Sequence, residues 1–195
     1  MDIIEQIKSN REQARQLGDT NADICFLALA DPQGNASVRT LVLREIEESS
    51  FRLFINKTSP KYRLLTNGAT FELLLWYTTM QKQYRVSGEF RELEREVIET
   101  NWHRRPIPSK YLDYFYENHA PQSSIVGSRS ELKAGIEALR QAHDPDDMTT
   151  PGNAVGIELV AYRIESLNLA MEDRLHDRQV HHRTNEGWNT EVLVP

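Results

Sequence analysis

The chain has 195 residues, 23 Lys and Arg against 29 Asp and Glu, one cysteine and a mean hydropathy of −0.59. This length suits a single domain with one hydrophobic core, and the net charge of −6 argues against a nucleic-acid-binding protein, whose domain is usually basic. No apolar run reaches the roughly 18 residues of a membrane span, and residues 1–5 lack the basic start of a signal peptide. We therefore expect a soluble, cytoplasmic protein that binds neither membranes nor nucleic acid.

The hydrophobic pattern predicts short strands interrupted by helices. Helices are predicted, in chain order, at residues 1–17, 59–68, 94–102, 109–118 and 128–142. Strands are predicted at residues 24–30, 36–46, 51–56, 70–77, 83–93, 154–160, 162–169, 175–182 and 188–194. Proline at the first helical position opens the second helix, and a capping-box sequence, S-R-S-E, opens the last. The polar loop at 143–153 is the best candidate for a mobile segment.

Strands that are mostly joined by hairpins predict an antiparallel α+β fold, mainly β, of the barrel or sandwich type. The strand-rich core covers residues 22–93 and resumes at 154–195, after a helical insertion at 94–142. Because the two strand-rich parts are interrupted rather than repeated, we predict one domain over residues 1–195.

The single cysteine excludes an intrachain disulfide and a metal site built on cysteines alone. Cys25 lies in an apolar run, which favours a small buried side chain over a reactive thiol. His181 and His182 are neighbours in a predicted strand and so face opposite sides of it. We therefore expect no bound metal.

The sequence R-L-H-D-R at 174–178 is the most informative basic segment. In a strand, Arg174, His176 and Arg178 share one face, where they repel one another unless an anion or carboxylates lie between them. The alternative is an exposed edge strand, whose arginines oppose aggregation.

A second basic segment, R-T-L-V-L-R, begins at Arg39 and ends at Arg44. Strand alternation puts these two arginines on opposite faces, unless a bulge intervenes or the site spans two elements; each can also be a solvated strand end. Clustered arginines in an acidic chain nevertheless indicate a local site for an anion such as a small phosphorylated ligand. Gln122 and Ser123 suit a polar ring edge or a phosphate, although such pairs also form turns.

No HExxH, GxSxG, P-loop or GxGxxG pattern is present, which argues against common hydrolases and classical dinucleotide-binding proteins. The cations of the W-H-R-R-P segment at 102–106 also suit the C-terminal end of a helix, where they offset the helix dipole.

The order of these segments resembles the pyridoxamine 5'-phosphate oxidase family, whose members are homodimeric, FMN-binding split barrels. The matching sequences are ASVRTLVLR (36–44), FINKTSPK (54–61), QYRVSGEFREL (83–93), RRPIPS (104–109), APQSSIVGSRSEL (120–132) and DRLHDR (173–178). The last strand, from Trp188, resembles the dimerisation segment of the family.

The resemblance implies an antiparallel FMN-binding split barrel with peripheral helices. It implies a cofactor site at the interface of a homodimer, formed by Arg39, Thr40, Leu41, Val42, Leu43, Arg44, Phe54, Ile55, Lys61, Gln83, Gln122, Ser123 and Arg178. Arg39 and Lys61 would bind the FMN phosphate. A site shared across a two-fold axis also lets Arg39 and Arg44 serve one site from opposite faces.

The implied reaction is hydride transfer from a small phosphorylated substrate, such as a B6 vitamer, to FMN, followed by reoxidation with dioxygen. The implied substrate-binding residues are Arg44, Arg105, Ser109, Arg174 and His176. Arg105 and Ser109 would hold the substrate phosphate, and Arg174 and His176 would be the catalytic residues beside the reacting carbon.

Four positions depart from the family pattern. Arg44 replaces a lysine, Pro60 an arginine of the FMN-phosphate site, Asn101 a tyrosine of the substrate-phosphate site, and Asn168 a tryptophan near the flavin. FMN binding is expected from the remaining contacts. The alternatives are an FMN-binding or flavin reductase-like protein of the same superfamily that does not oxidise B6 vitamers, and a structural dimer without a cofactor.

Overall fold

The computed structural model of the protein describes residues 2–171 and 175–195. The helices in these ranges are α1 (Ile3–Gln16), α2 (Pro60–Thr66), α3 (Arg95–His103), α4 (Ile107–Asn118) and α5 (Arg129–Ala142), with a 3-10 turn at Thr78–Met80. The strands are β1 (Ile24–Ala30), β2 (Ala36–Val42), β3 (Glu45–Glu47), β4 (Ser50–Asn56), β5 (Thr70–Tyr77), β6 (Lys82–Glu92), β7 (Ala154–Asn168), β8 (Asp177–Thr184) and β9 (Gly187–Leu193). None of the described helices combines the length and the apolar character that a membrane crossing requires.

The chain divides into two compact units. The first consists of Met1–Leu53, Gly68–Arg91 and Glu158–Pro195, and the second of Phe54–Asn67 and Glu92–Ile157. The boundary between them falls within β4, β6 and β7.

The first unit is built on the sheet, whose strand order is β2-β1-β5-β6-β7-β4-β3, with β8 paired to β7 and β9 to β8. The hairpins β1–β2, β5–β6 and β8–β9 are antiparallel, as the sequence predicts. Alternation along β1 buries Cys25, Leu27 and Leu29, which confirms Cys25 as a buried side chain. Ile7 of the amphipathic helix α1 is fully buried, in the manner of a helix that covers a sheet.

The second unit contains α2–α5. Ser59 caps α2 by accepting a hydrogen bond from the Tyr62 N–H, and Pro60 occupies the first turn. Ser128 caps α5 by accepting from the Glu131 N–H at 3.1 Å, which is one half of the predicted capping box. Trp102 of α3 is 1 % exposed and is among the largest buried side chains.

The strand predicted at 36–46 is interrupted at Leu43 and Arg44, because β2 ends at Val42 and β3 begins at Glu45. The Arg11 guanidinium of α1 donates to the carbonyl oxygens of Leu43, at 2.5 Å, and Arg44, at 3.3 Å. These carbonyls are therefore satisfied by a side chain rather than by a neighbouring strand, and the ladder stops there.

The predictions at the end of the chain also need two corrections. The strands predicted at 154–160 and 162–169 are one strand, β7, in which Ala161 is buried and its N–H donates to the Ser49 carbonyl at 2.8 Å. The strand predicted from residue 175 begins at Asp177. His176 therefore precedes β8, and strand alternation does not determine its direction.

Candidate functional site

The predicted site residues divide between the two units. Arg39–Arg44, Gln83, His176 and Arg178 belong to the first unit, and Phe54, Ile55, Lys61, Arg105, Ser109, Gln122 and Ser123 belong to the second. Arg174 lies outside the described residues.

The segment from Arg39 to Arg44 alternates as predicted as far as β2 extends. Arg39 and Leu41 are half-buried, whereas Thr40 and Val42 are exposed. Leu43 is buried and Arg44 is exposed beyond the end of the strand, where its N–H donates to the Arg52 carbonyl at 3.0 Å.

Arg39 is a cation without a carboxylate partner among the described residues. Its Nη2 donates to Ser37 Oγ at 2.6 Å, while Nη1 is buried and has no hydrogen-bond partner in the part of the chain that the structure describes. Burial without a counter-charge lowers the pKa of Arg39. An anion bound here would supply both the missing charge and the missing acceptor.

Arg178 contacts the buried carboxylate of Glu165, which also binds two other arginines. Arg178 donates a hydrogen bond from Nε to Glu165 Oε1 at 3.0 Å, and its Nη2 forms an ion pair with the same oxygen at 2.8 Å. Arg163 and Arg85 reach the same carboxylate at 2.7 and 3.2 Å. Although burial raises it, the hydrogen bonds from Arg163 and Arg178 bring the pKa of Glu165 below its ordinary value. Glu165 therefore compensates the positive charges of these three arginines.

Gln83 and His176 are both half-buried. Gln83 lies on β6 opposite Trp76 of β5. The His176 Nδ1 atom is buried and has no hydrogen-bond partner among residues 2–171 and 175–195, so it can accept from or donate to a bound molecule.

The described ranges contain no group of three or more His, Cys, Asp or Glu side chains arranged to hold a metal. His181 is instead buried between two hydroxyl groups, with Ser166 Oγ at 3.2 Å and Thr190 Oγ1 at 2.9 Å.

In the second unit, Lys61 and Gln122, two of the residues predicted for the cofactor site, are in contact. Lys61 Nζ donates to Gln122 Oε1 at 3.2 Å, and the Gln122 N–H donates to Thr58 Oγ1 at 3.0 Å. Thr58 Oγ1 donates in turn to Asn56 Oδ1 at 2.6 Å. The end of β4 and the start of α2 are thereby joined to the loop around Gln122.

Two features near this network bear on a bound molecule. Ser123 has φ = 72°, the left-handed region, which costs a residue with a Cβ roughly 1–2 kcal/mol. Strain of this kind clusters at ligand-binding loops. On β4, Ile55 is buried and Phe54 half-buried; a Cβ on Gly156 would lie 2.9 Å from the Phe54 ring, so the glycine permits close packing.

Arg105 forms an ion pair that the sequence did not predict. Its Nη1 lies 3.2 Å from Oδ2 of Asp113, which also accepts from the Trp102 indole N–H at 2.9 Å. The Asp113 side chain is 3 % exposed and that of Arg105 is 21 % exposed. Burial raises the pKa of Asp113, and the Arg105 charge and the Trp102 hydrogen bond oppose this rise.

The other predicted phosphate ligands differ in their contacts. Ser109 is half-buried in the first turn of α4, and its N–H donates to the Pro106 carbonyl at 2.9 Å. Asn101, which stands at a tyrosine position of the family, donates from Nδ2 to the Val97 carbonyl of its own helix at 3.0 Å. Asn168, at a tryptophan position, accepts from the Ala170 N–H in the turn after β7.

Comparison with known proteins identifies first the fold and then the family. The chain matches a pyridoxamine 5'-phosphate oxidase-related, FMN-binding protein from Nostoc punctiforme with a TM-score of 0.78 and 19 % identity, over 98 % of this chain and 96 % of that one. This likeness confirms the predicted antiparallel split-barrel fold. A family model described as pyridoxamine 5'-phosphate oxidase matches residues 11–143, and the chain belongs to that family.

Two further relatives are informative. The chain is 29 % identical to pyridoxine/pyridoxamine 5'-phosphate oxidase of Deinococcus deserti, over all of this chain and 89 % of the relative. It is 26 % identical to PhzG from Burkholderia lata, whose crystal structure contains tetrahydrophenazine-1-carboxylic acid; the TM-score is 0.87, over all of this chain and 93 % of that one.

Proposed function

We propose that the protein is an FMN-dependent oxidoreductase. The observation that carries the proposal is Arg39, a half-buried guanidinium with an unused buried N–H group and no carboxylate partner among the described residues. Such a group favours an anionic ligand. Membership of the family and likeness to an FMN-binding protein support flavin as that ligand.

In this proposal Arg39 and Lys61 bind the FMN phosphate. Gln122 orients Lys61 through their hydrogen bond, and the strained Ser123 backbone holds the adjacent loop. The isoalloxazine and its chain would be contacted by Thr40–Arg44, Phe54, Ile55, Gln83 and Arg178. Glu165 would fix the direction of Arg178 through one hydrogen bond and one ion-pair contact.

When bound, FMN would supply the redox chemistry, namely hydride transfer from a substrate C–H bond with loss of a proton from the substrate heteroatom, and reoxidation by dioxygen to give hydrogen peroxide. The protein contributes orientation and electrostatics. His176, whose Nδ1 has no hydrogen-bond partner among the described residues, would hydrogen-bond the substrate. Arg174 would lie beside the amine or hydroxyl that loses the proton.

A B6 vitamer phosphate is one candidate substrate. Relatives named pyridoxine/pyridoxamine 5'-phosphate oxidase support it. Arg44, Arg105 and Ser109 would then bind the substrate.

A ring substrate without a phosphate is the second candidate. It is favoured by the pairing of Arg105 with Asp113 and by the likeness to PhzG, whose structure holds a carboxylic acid of a reduced phenazine.

We also propose a homodimer with FMN sites at its interface. Val38 and Val42 of the edge strand β2, and Val192 of β9, are 69 %, 44 % and 79 % exposed. Exposed apolar side chains on sheet edges favour burial against a partner. Light scattering on the purified protein should give twice the mass of one chain, and a monomer that binds FMN fully would contradict the dimer.

The first experiment measures FMN binding. The purified protein should be yellow, and Arg39→Gln should weaken FMN binding by about 10- to 100-fold, the contribution of a charged hydrogen bond. Arg91→Gln is the control, because the Arg91–Glu89 pair is largely exposed. Equal FMN affinity in the wild type and Arg39→Gln would contradict the assigned site.

The second experiment measures turnover. Pyridoxamine 5'-phosphate is added to the FMN-loaded protein, and hydrogen peroxide and oxygen uptake are followed. Peroxide release supports oxidase activity on B6 vitamers; flavin that stays oxidised under anaerobic conditions refutes that substrate but leaves the second candidate open.

A further inference from the structure

We infer that Asp113 determines the substrate preference of this site: by pairing with Arg105, it selects a substrate whose corresponding end carries no phosphate. The inference rests on the proposed function, since it concerns the substrate of a flavin-dependent oxidoreductase. It makes Asp113 a residue that acts through Arg105 rather than a catalytic residue.

Arg105 forms an ion pair with Asp113. The two side chains meet at 3.2 Å, and the Trp102 indole N–H holds the same carboxylate oxygen at 2.9 Å. Asp113 lies on α4 with an almost fully buried side chain, so water does not screen its charge effectively. The carboxylate is therefore fixed in place, and Arg105 has a permanent partner.

This pairing changes what Arg105 can bind. A free guanidinium binds a phosphate strongly because two opposite charges and parallel hydrogen bonds act together. Beside Asp113 the positive charge is cancelled, and a phosphate dianion at Arg105 would also be repelled by the buried carboxylate. The Arg105 Nε atom has no hydrogen-bond partner among the described residues. It can therefore donate a hydrogen bond to a neutral oxygen acceptor, which the Asp113 carboxylate does not repel.

The neighbouring residues agree with a weakened phosphate site. Asn101 donates a hydrogen bond from its amide to the Val97 carbonyl within α3. Lys110 lies over the Trp102 ring, with Nζ 5.1 Å from its centroid. Lys110 and Ser109 stay unchanged in every variant below, so any phosphate affinity that they contribute cancels from the comparison.

The test is the isosteric variant Asp113→Asn in the full-length, FMN-loaded protein. It removes the charge and keeps an oxygen acceptor for the Trp102 N–H. Dissociation constants are measured for pyridoxamine 5'-phosphate and for pyridoxamine, which lacks the phosphate, by calorimetry and by the flavin difference spectrum. Their ratio isolates the contribution of the phosphate, which a merely structural change would leave unaltered.

In the wild type we expect the two ligands to bind within about 5-fold of each other. In Asp113→Asn the preference for the phosphorylated ligand should rise by about 10- to 100-fold, because Arg105 becomes available for a charged hydrogen bond. The double variant Asp113→Asn/Arg105→Gln should return to the wild-type ratio. Asp146→Asn, which changes an exposed aspartate of the same unit, is the matched control.

Inorganic phosphate provides a measurement that does not depend on recognition of the vitamer ring. Its affinity, measured by calorimetry, should rise in Asp113→Asn by the same factor. Equal phosphate affinity in the wild type and the variant would overturn the inference.

If Asp113→Asn does not fold, Arg105→Gln in the otherwise wild-type protein tests whether Arg105 binds the substrate phosphate. A change in the ligand ratio of less than about 2-fold supports the inference, because Arg105 is already neutralised. A loss of 10-fold or more shows that Arg105 binds the phosphate and overturns it. Failure of the proposed function is a different result: the purified protein and its variants then bind no FMN at all.

Discussion

Replacing Glu165 by Gln tests whether the buried carboxylate holds three arginines in place. The change leaves Arg85, Arg163 and Arg178 around a neutral amide. Removing one partner of a fully buried ion pair costs about 3–5 kcal/mol. The three arginine side chains are 36 %, 29 % and 32 % exposed, so water compensates part of the loss. Arg85 also keeps its second carboxylate, Glu72, at 2.6 Å.

We therefore expect Glu165→Gln to lower the free energy of unfolding by about 3 kcal/mol, the low end of that range. For a chain of this length this corresponds to a fall in Tm of roughly 6–12 °C. Urea unfolding followed by circular dichroism measures the free energy, and calorimetry measures Tm. Glu89→Gln is the matched control: its partner Arg91 is 62 % exposed, and such surface pairs contribute about 0–1 kcal/mol.

A double variant separates charge from packing. If Glu165 acts through the arginines, Glu165→Gln should cost less when Arg178 is already Gln, because one uncompensated cation is gone. A loss of less than about 1 kcal/mol in the single variant, or strict additivity in the double variant, would refute the reasoning. FMN affinity measured on the same samples reports whether Glu165 also positions Arg178 for the flavin.

Three further predictions address the phosphate site, the acid stability and the sheet. Lys61→Met should weaken FMN binding by about 10- to 100-fold, measured by quenching of FMN fluorescence, while Tm of the FMN-free protein changes little; unaltered FMN affinity would remove Lys61 from the site. Burial lowers the pKa of His181 in the folded state, so below pH about 6.5 the unfolded chain binds more protons and the free energy of unfolding should fall as the pH drops. His181→Gln should flatten this pH dependence in unfolding experiments between pH 5 and 8. An unchanged slope would contradict the prediction. Gly88→Ala should destabilise the protein by about 2–3 kcal/mol, because a Cβ there would lie 1.9 Å from the Val160 carbonyl oxygen; a Tm equal to that of the wild type would show that the two strands separate more easily than expected.

The sequence predicts the strands best where one face is buried and the other is not. The predicted bounds of β1 and β5 are those of the structure, because alternation along each strand follows the pleat. The interruption at Leu43 could not be predicted locally, since it depends on Arg11, which is 32 residues away. The prediction divided the continuous β7 at Ala161, because the local pattern gives no sign that the Ala161 N–H donates to the carbonyl of the distant Ser49.

The contacts of the candidate site also join residues that are distant in sequence, which local patterns do not predict. The contact between Lys61 and Gln122 was not predicted: the resemblance to the family only assigned both residues to one cofactor site, and nothing local connects residues 61 positions apart. Asp113 was missed, although a lone acid between the apolar Tyr111 and Phe115 on one helix is a recognisable sign of a buried partner. Glu165 was missed as well; its spacing of two from Arg163 on one strand face was the available signal.

The carboxylates, rather than the arginines, determine where this acidic chain can bind an anion. Arg178 and Arg105 both belong to segments that resemble a phosphate-binding family, yet each meets a buried carboxylate. Arg39 contacts no carboxylate among the described residues. A guanidinium without a counter-ion gains the most from a bound phosphate, because the ligand replaces a charge that burial has left uncompensated. Arg39→Gln should therefore cost FMN affinity far more than Arg105→Gln costs phosphate affinity. If Arg105→Gln instead caused the larger loss of affinity, Asp113 and Glu165 would have to release their arginines when the ligands bind.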